Sequence, residues 1–206
     1  MNNTIAVSGT GSAAAAPDLA IVEIGVDVLA RSVAAARSAA ATEMGAVVAS
    51  LRNSGLQDAD ISTTSYNIHP EYDHREGRRL RGYRVSNMVE ARIKDMDSVG
   101  ETIDDAAAAA GSDHVVVQGL RFAHQDESAL AADARTAAWA DASAKAKQLA
   151  ELAGVPLGSV VAVAEHRSHG GGPPMRARAM EAAMAAPIEP GQLGVTISIE
   201  AEFSIG

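Results

Sequence analysis

The segment Val195-Thr-Ile-Ser-Ile-Glu-Ala-Glu-Phe-Ser-Ile205 alternates apolar and polar residues without a break. Successive side chains of a strand point to opposite faces. Val195, Ile197, Ile199, Ala201, Phe203 and Ile205 therefore share one face, and Thr196, Ser198, Glu200, Glu202 and Ser204 the other. One dry face and one wet face is the pattern of an antiparallel or mixed sheet, not of a doubly wound parallel one. The same period recurs at 20–28, where Ala20, Val22, Ile24, Val26 and Val28 oppose Glu23 and Asp27. It recurs again at 83–94, where Tyr83, Val85, Val89, Ala91 and Ile93 oppose Arg84, Ser86, Glu90, Arg92 and Lys94. Less regular strand patterns lie at 4–12, 61–72, 114–123 and 158–166. The polar run His74-Arg-Glu-Gly-Arg-Arg79 reads as the turn that joins 61–72 to 83–94 in a hairpin.

Three stretches switch to the helical period. From Ser32, a natural N-cap, Val33, Ala36, Ala40, Met44, Val47 and Leu51 fall on one face, and Gly55 stands where a C-terminal glycine belongs. A second helix spans about 96–110, with Met96, Val99, Ile103, Ala106 and Ala110 inward and Gly111 as its stop. A third runs from about 127 to 153. Asp126 caps it, and Leu130, Ala134, Ala138, Ala142, Leu149 and Leu152 are its expected inner line. Asp141 and Lys145 are spaced to pair on it, and Gly154-Val-Pro156 ends it. The expected fold is therefore α+β, with mixed or antiparallel sheets and three main helices in the order β-β-α-β-β-α-β-α-β-β. The 206 residues suit a single domain with two lobes that each contain a β-β-α passage.

Composition narrows the chemistry. Aromatic residues are only 3% of the chain, so the core must be built from Val, Ile, Leu and abundant Ala. Seventeen basic against 26 acidic residues leave a net charge of −9, which argues against nucleic acid as a partner because phosphate binding needs cations. With no cysteine, disulfides, thiol catalysis and Cys-ligated metals are excluded. No apolar run approaches the ~20 residues that span a bilayer, and Met1-Asn-Asn-Thr-Ile5 has neither a basic nor an apolar leader pattern. As the chain stands, the cytoplasm is the expected location, with the periplasm or cell envelope as the alternative.

Several stretches invite a functional reading. Gly9-Thr-Gly11-Ser-Ala-Ala14 imitates a dinucleotide-binding turn, but Pro17-Asp18 and a second strand follow where a helix should open. It reads instead as a glycine-kinked strand or a bulge. Glu165-His166-x-x-His169, and His69-x-Glu71 with His74, could gather imidazoles and carboxylates, yet neither has a recognised ligand spacing, so no metal or cofactor is expected. No nucleophile elbow, zinc-protease helix or phosphate loop occurs, and Asp104-Asp105 sit on a polar helix face. The expectation is a protein that is not an enzyme.

Two regions are candidate interfaces. Arg75, Arg78, Arg79, Arg81 and Arg84 cluster at one hairpin tip flanked by Tyr66, Tyr72 and Tyr83. Such a tip can clamp an anion, dock on an acidic neighbour, or simply be solvated. The Gly/Pro-rich stretch 167–190, with Met175, Met180 and Met184, reads either as a disordered insert or as an arm that contacts a subunit or partner.

Taken in order, several motifs resemble the SIMPL domain family, which includes periplasmic immunogenic proteins of bacteria. They are Val7-Ser-Gly-Thr-Gly11, Ala16-Pro-Asp18, Gly25-Val26, Ile61-Ser-Thr-Thr-Ser65, Pro70-Glu-Tyr72 and Leu80-Arg-Gly-Tyr-Arg-Val-Ser-Asn87. Further along come the Ala-rich stretch 137–150, Gly154-Val-Pro-Leu-Gly158 and Pro190-Gly191. The resemblance implies an α+β fold, no family catalytic residues to carry over, and large ring- or channel-like homo-oligomers in some members. It also implies links to oxidative-stress tolerance and the cell envelope. The leading expectation is a non-enzymatic, self-assembling homo-oligomer in a ring or shell. A small-ligand or metal-binding stress protein using His166, His169 or the basic turn is the alternative.

Overall fold

The computed structural model describes residues 3–73, 79–168 and 189–206. In chain order its elements are β1 (Thr4–Ala15), β2 (Leu19–Ala30), α1 (Val33–Asn53), β3 (Ile61–Asp73), β4 (Arg79–Ile93), α2 (Val99–Ala109), β5 (Val115–Ala123), α3 (Ser128–Ala153), β6 (Leu157–Ser168) and β7 (Leu193–Ile205). The order is the expected one. All pairings are antiparallel, in sheets β1-β7-β6 and β3-β4-β2-β5. The chain divides into two compact units, Asp18–Ala123 and a discontinuous one made of Met1–Pro17 with His124–Gly206.

In the continuous unit, the apolar positions of β2 from Ala20 to Val28 join Val85, Val89, Ala91 and Ile93 of β4 under α1. The helix buries Ala36, Ala40, Met44, Val47 and Leu51, the face its periodicity predicts. Ser32 Oγ accepts from the Ala35 N–H at 3.2 Å, and Gly55, at φ +94°, lets the chain leave the helix with the Leu56 N–H returning to the Leu51 carbonyl. One expectation needs correction: β2 is not half-wet. Leu19 and Ile21 are buried too, and Gly25 lies under the Met88 thioether, where a Cβ would come within 2.5 Å of the sulfur. A strand with neighbours on both sides leaves few open positions, and a long flexible Met fills the gap above a glycine.

The discontinuous unit has α3 lying on β1 and β7. Its buried line is Ala131, Ala134, Ala138, Ala142, Ala146 and Ala150. Leu149 and Leu152, expected inside, are 45% and 78% exposed. The cause lies on the strand beneath. A Cβ on Gly9 would sit 2.2 Å from the Ala138 carbonyl oxygen, and one on Gly11 2.2 Å from that of Ala134. The two glycines are therefore neither a kink nor a bulge: β1 keeps an unbroken register with β7, Gly9 opposite Ile199 and Gly11 opposite Ile197. They form a lane that admits the helix backbone itself, while the isoleucines alongside fill the volume. Only alanine on the helix is small enough to face that lane. The helix opens at Ser128 with Glu127 in the N-cap position, so Asp126 lies one residue before the expected cap and accepts from the Ser128 N–H and hydroxyl at 2.8 Å each.

Candidate functional site

The polar clusters come first, because a catalytic or binding centre would be built from them. Arg84 on β4 is held between Asp27 of β2 and Glu71 of β3, and Arg81 also reaches Glu71 at 3.1 Å. Glu71, and then Asp27, raise the Arg84 pKa further above its ordinary value, and Arg84 in turn lowers that of Glu71. Arg79 and Arg81 thus lie at the start of β4, with Arg81 paired inside its own sheet. Arg75, Arg78, Met175, Met180 and Met184 fall outside the described residues.

On the same sheet Glu23 and Glu90 stand directly opposite each other on β2 and β4. Like charges in register are unfavourable, and each is accommodated separately. The Thr64 hydroxyl donates to Glu23 at 3.1 Å, and Arg121 donates to Glu90 at 2.7 Å. Register shifts occur at this level in both outer pairings, leaving Thr64 and Gln118 without an opposite residue. The result is a small hollow of about 220 Å³ lined by Ile21, Glu23, Thr64, Glu90, Gly119 and Arg121. Sequence reading missed it, because cross-strand register is invisible in a single strand's alternation.

Glu43 of α1 gathers Ser112 and His114 from the loop before β5. The Ser112 hydroxyl donates to one carboxylate oxygen at 2.8 Å, and His114 Nδ1 lies 3.0 Å from the other. The residue types are those of a hydrolase triad, but the connectivity is not. The Ser112 hydroxyl donates to the carboxylate and accepts the His114 backbone N–H, while the His114 ring faces Glu43 instead of the hydroxyl, so the serine–imidazole–carboxylate relay is not formed. Each histidine cluster singled out in the sequence is described only in part. Glu71 serves the arginines, Glu165 binds Arg135, and His166 Nε2 lies 3.9 Å from Glu200. His74 and His169 lie outside the described residues. No group of three or more His, Asp or Glu side chains close enough to share a metal occurs among the described residues.

The two edges of the sheet β1-β7-β6 differ sharply. On β1, Asp141 of α3 accepts the Thr10 N–H at 2.9 Å, and Lys145 donates to the Ser8 carbonyl at 2.9 Å and to Asp141 at 2.7 Å. Lys145 first, and then the Thr10 N–H, hold the Asp141 carboxyl below the usual carboxylate range. The i,i+4 pair read from the sequence therefore does more than decorate a helix. It caps the free backbone groups of an edge strand. On the other edge every residue of β6 from Gly158 to His166 is exposed, including Val160, Val161 and Val163 at 43%, 53% and 54%. A two-pronged contact from Arg135 to Glu165 at 2.6 and 2.9 Å ties β6 to the helix. Beside it, Trp139 leans on Phe203, ring centres 6.1 Å apart. A shallow hollow of about 330 Å³ runs along the sheet face, bordered by Ala6, Ser8, Ala162, Ala164, Glu200 and Glu202.

Two antiparallel sheets with three helices, an unbroken glycine lane and no assembled catalytic constellation among the described residues define an α+β protein whose distinctive surface is an edge strand. The chain belongs to the SIMPL family, described as a protein of unknown function (DUF541), whose model matches residues 5–203. It is 32% identical over 219 residues to the "26 kDa periplasmic immunogenic protein" of Brucella melitensis, covering 98% of this chain and 84% of that protein. It is 33% identical over 166 residues to the "Uncharacterized protein YggE" of Escherichia coli, covering 80% of this chain and 66% of that protein. The Edwardsiella ictaluri protein of the same name is 28% identical over 167 residues. Among the described residues no helix is long and apolar enough to cross a membrane.

Proposed function

We propose that this chain is a non-enzymatic, self-assembling protein of the bacterial periplasm or cell envelope, working as a homo-oligomeric ring or shell. The observation that carries the reading is the open edge. Val160, Val161 and Val163 of β6 are exposed outside any enclosed pocket, as are Tyr66, Ile68 and Leu80 on β3 and β4, while the arginines and carboxylates of the other clusters are engaged with one another. An apolar edge strand that nothing among the described residues covers is a pairing template, and the opposite edge of the same sheet is capped by α3. The periplasmic location follows the name of the Brucella relative and replaces the cytoplasmic expectation. A part in oxidative-stress tolerance is compatible with such an assembly and rests on the family resemblance alone.

Sedimentation velocity at micromolar concentration tests the reading. The expected result is a discrete species whose mass is a multiple of 21.1 kDa. A single 21.1 kDa species across that range overturns it.

A further inference from the structure

We propose that the groove between the end of α1 and α2 is a binding site for a linear polyamine, a flexible chain of ammonium groups separated by methylenes. The groove lies within the continuous unit and owes nothing to the self-assembly proposed above.

One stripe of α2 builds one wall. Glu101 and Thr102, then Asp105, then Ala109 follow at helical spacing, over about 12 Å at 1.5 Å per residue. The last turn of α1 builds the other wall with Asn53 and the C-cap Ser54, and Asp95 adds a third carboxylate. Leu51 of α1 and Val99 and Ala106 of α2 are buried in one core, which fixes the two walls. The hollow between them measures about 640 Å³, the size of a small-molecule site.

Its charge is one-sided. Three carboxylates and no basic residue line it. Lys94 and Arg52, each next in sequence to a lining residue, are held by Asp60 at 2.7 Å and Asp58 at 2.9 Å. Among the described residues Glu101 and Asp105 have no ionic or hydrogen-bonding partner, and Asp95 uses one oxygen for the Asp97 N–H at 3.1 Å. The last turn of α1 also brings the negative end of its dipole to the groove.

Thr102 points to a ligand independently of charge. It is 2% exposed and lines the groove, yet its hydroxyl has no partner among the described residues. Thr42 on α1, by contrast, donates back to the Ser38 carbonyl at 3.1 Å. A buried hydroxyl without a partner is a cost that a bound donor removes.

Spacing selects the ligand class. No three carboxylates stand close enough to share one metal ion among the described residues, so the charges suit cations spread along a chain. Glu101 and Asp105, one turn apart, each receive an ammonium group, and the methylenes run on past Ala109. An ammonium has three hydrogens to donate, so one group serves a carboxylate and the Thr102 hydroxyl together.

Isothermal titration calorimetry with spermidine at about 0.1 M salt tests the site, since distant surface charges are largely screened there. One saturable site per chain is expected, with magnesium at equal concentration failing to compete. Glu101→Gln combined with Asp105→Asn should weaken spermidine at least about tenfold, and Thr102→Val about fivefold. Asp104→Asn, the same loss of charge on a residue outside the groove, should stay within about twofold. Thr102→Val removes a hydroxyl that has no partner, so its thermal midpoint should not fall, which separates lost binding from lost folding. The proposal is overturned by any of four results: no saturable spermidine binding, competition by magnesium, wild-type affinity in Thr102→Val, or an oligolysine peptide that binds more tightly than spermidine.

Discussion

The two units of this protein put a helix on a sheet in opposite ways. Helix α1 meets its sheet through side chains, with Met44, Val47 and Leu51 interleaved among the valines and isoleucines of β2 and β4. Helix α3 meets its sheet almost backbone to backbone, its alanines set over Gly9 and Gly11. Of the ten largest fully buried side chains among the described residues, only Ile197 lies in the discontinuous unit. A core made of side chains has volume to lose and is damaged by truncation. A core made of backbone contact has almost none to lose and is damaged by addition.

That contrast orders the consequences of mutation. Gly9→Val forces atoms into the Ala138 carbonyl and the Ala142 amide, neither of which can swing aside. It should cost more than about 4 kcal/mol, or prevent folding of the discontinuous unit, in urea titration. Leu51→Ala, at 2% exposure, should cost about 3 kcal/mol by leaving a cavity under α1. Ala142→Gly, the corresponding truncation on α3, should cost only about 1 kcal/mol, mostly helix propensity. Losses of equal size at Leu51 and Ala142 would erase the distinction between the two cores.

Acid should act on the closed edge. Because the Asp141 carboxyl is held below its ordinary value, the folded protein binds that proton less tightly than the unfolded chain. Its contribution is therefore complete above the unfolded value of about 3.9 and is lost as pH falls through the lower folded value. The difference in thermal midpoint between the wild type and Asp141→Asn should be widest near neutral pH and shrink below about pH 4. A difference that grows with acid would contradict the latch. Leu152→Ser is the smallest expected change, within about 0.5 kcal/mol, because the side chain lies outside the buried stripe.

Much of the fold was legible because hydropathy alternates wherever one face meets a core. The strands centred on Ile24, Val89 and Ile199, and the face of α1 from Ala36 to Leu51, could be read directly. Helix α3 misled because its leucines carry most of its hydropathy, while its packing face is alanine. What selects that face is the missing side chains of Gly9 and Gly11, far away in sequence. The same two glycines read as a break because a strand in isolation gives no reason to lack a Cβ. The facing pair Glu23 and Glu90 depends on register between strands, and the closed and open edges depend on which strands lie outermost. Neither property belongs to any local segment. The pairing of Asp141 with Lys145 was legible, but its grip on Ser8 and Thr10 was not.

The central claim is that the β1 edge of the sheet β1-β7-β6 is closed from within by Asp141 and Lys145, while the exposed strand β6 is left for the proposed self-assembly. Residue-resolved amide hydrogen exchange, followed from dilute to concentrated protein, tests it most directly. The Thr10 amide should be protected at every concentration, held by Asp141. The Val163 amide should exchange faster than that of Thr10 in dilute protein and become protected as the assembly forms. A Thr10 amide that exchanges freely in dilute protein, or a Val163 amide that exchanges freely in the fully assembled protein, would contradict the account.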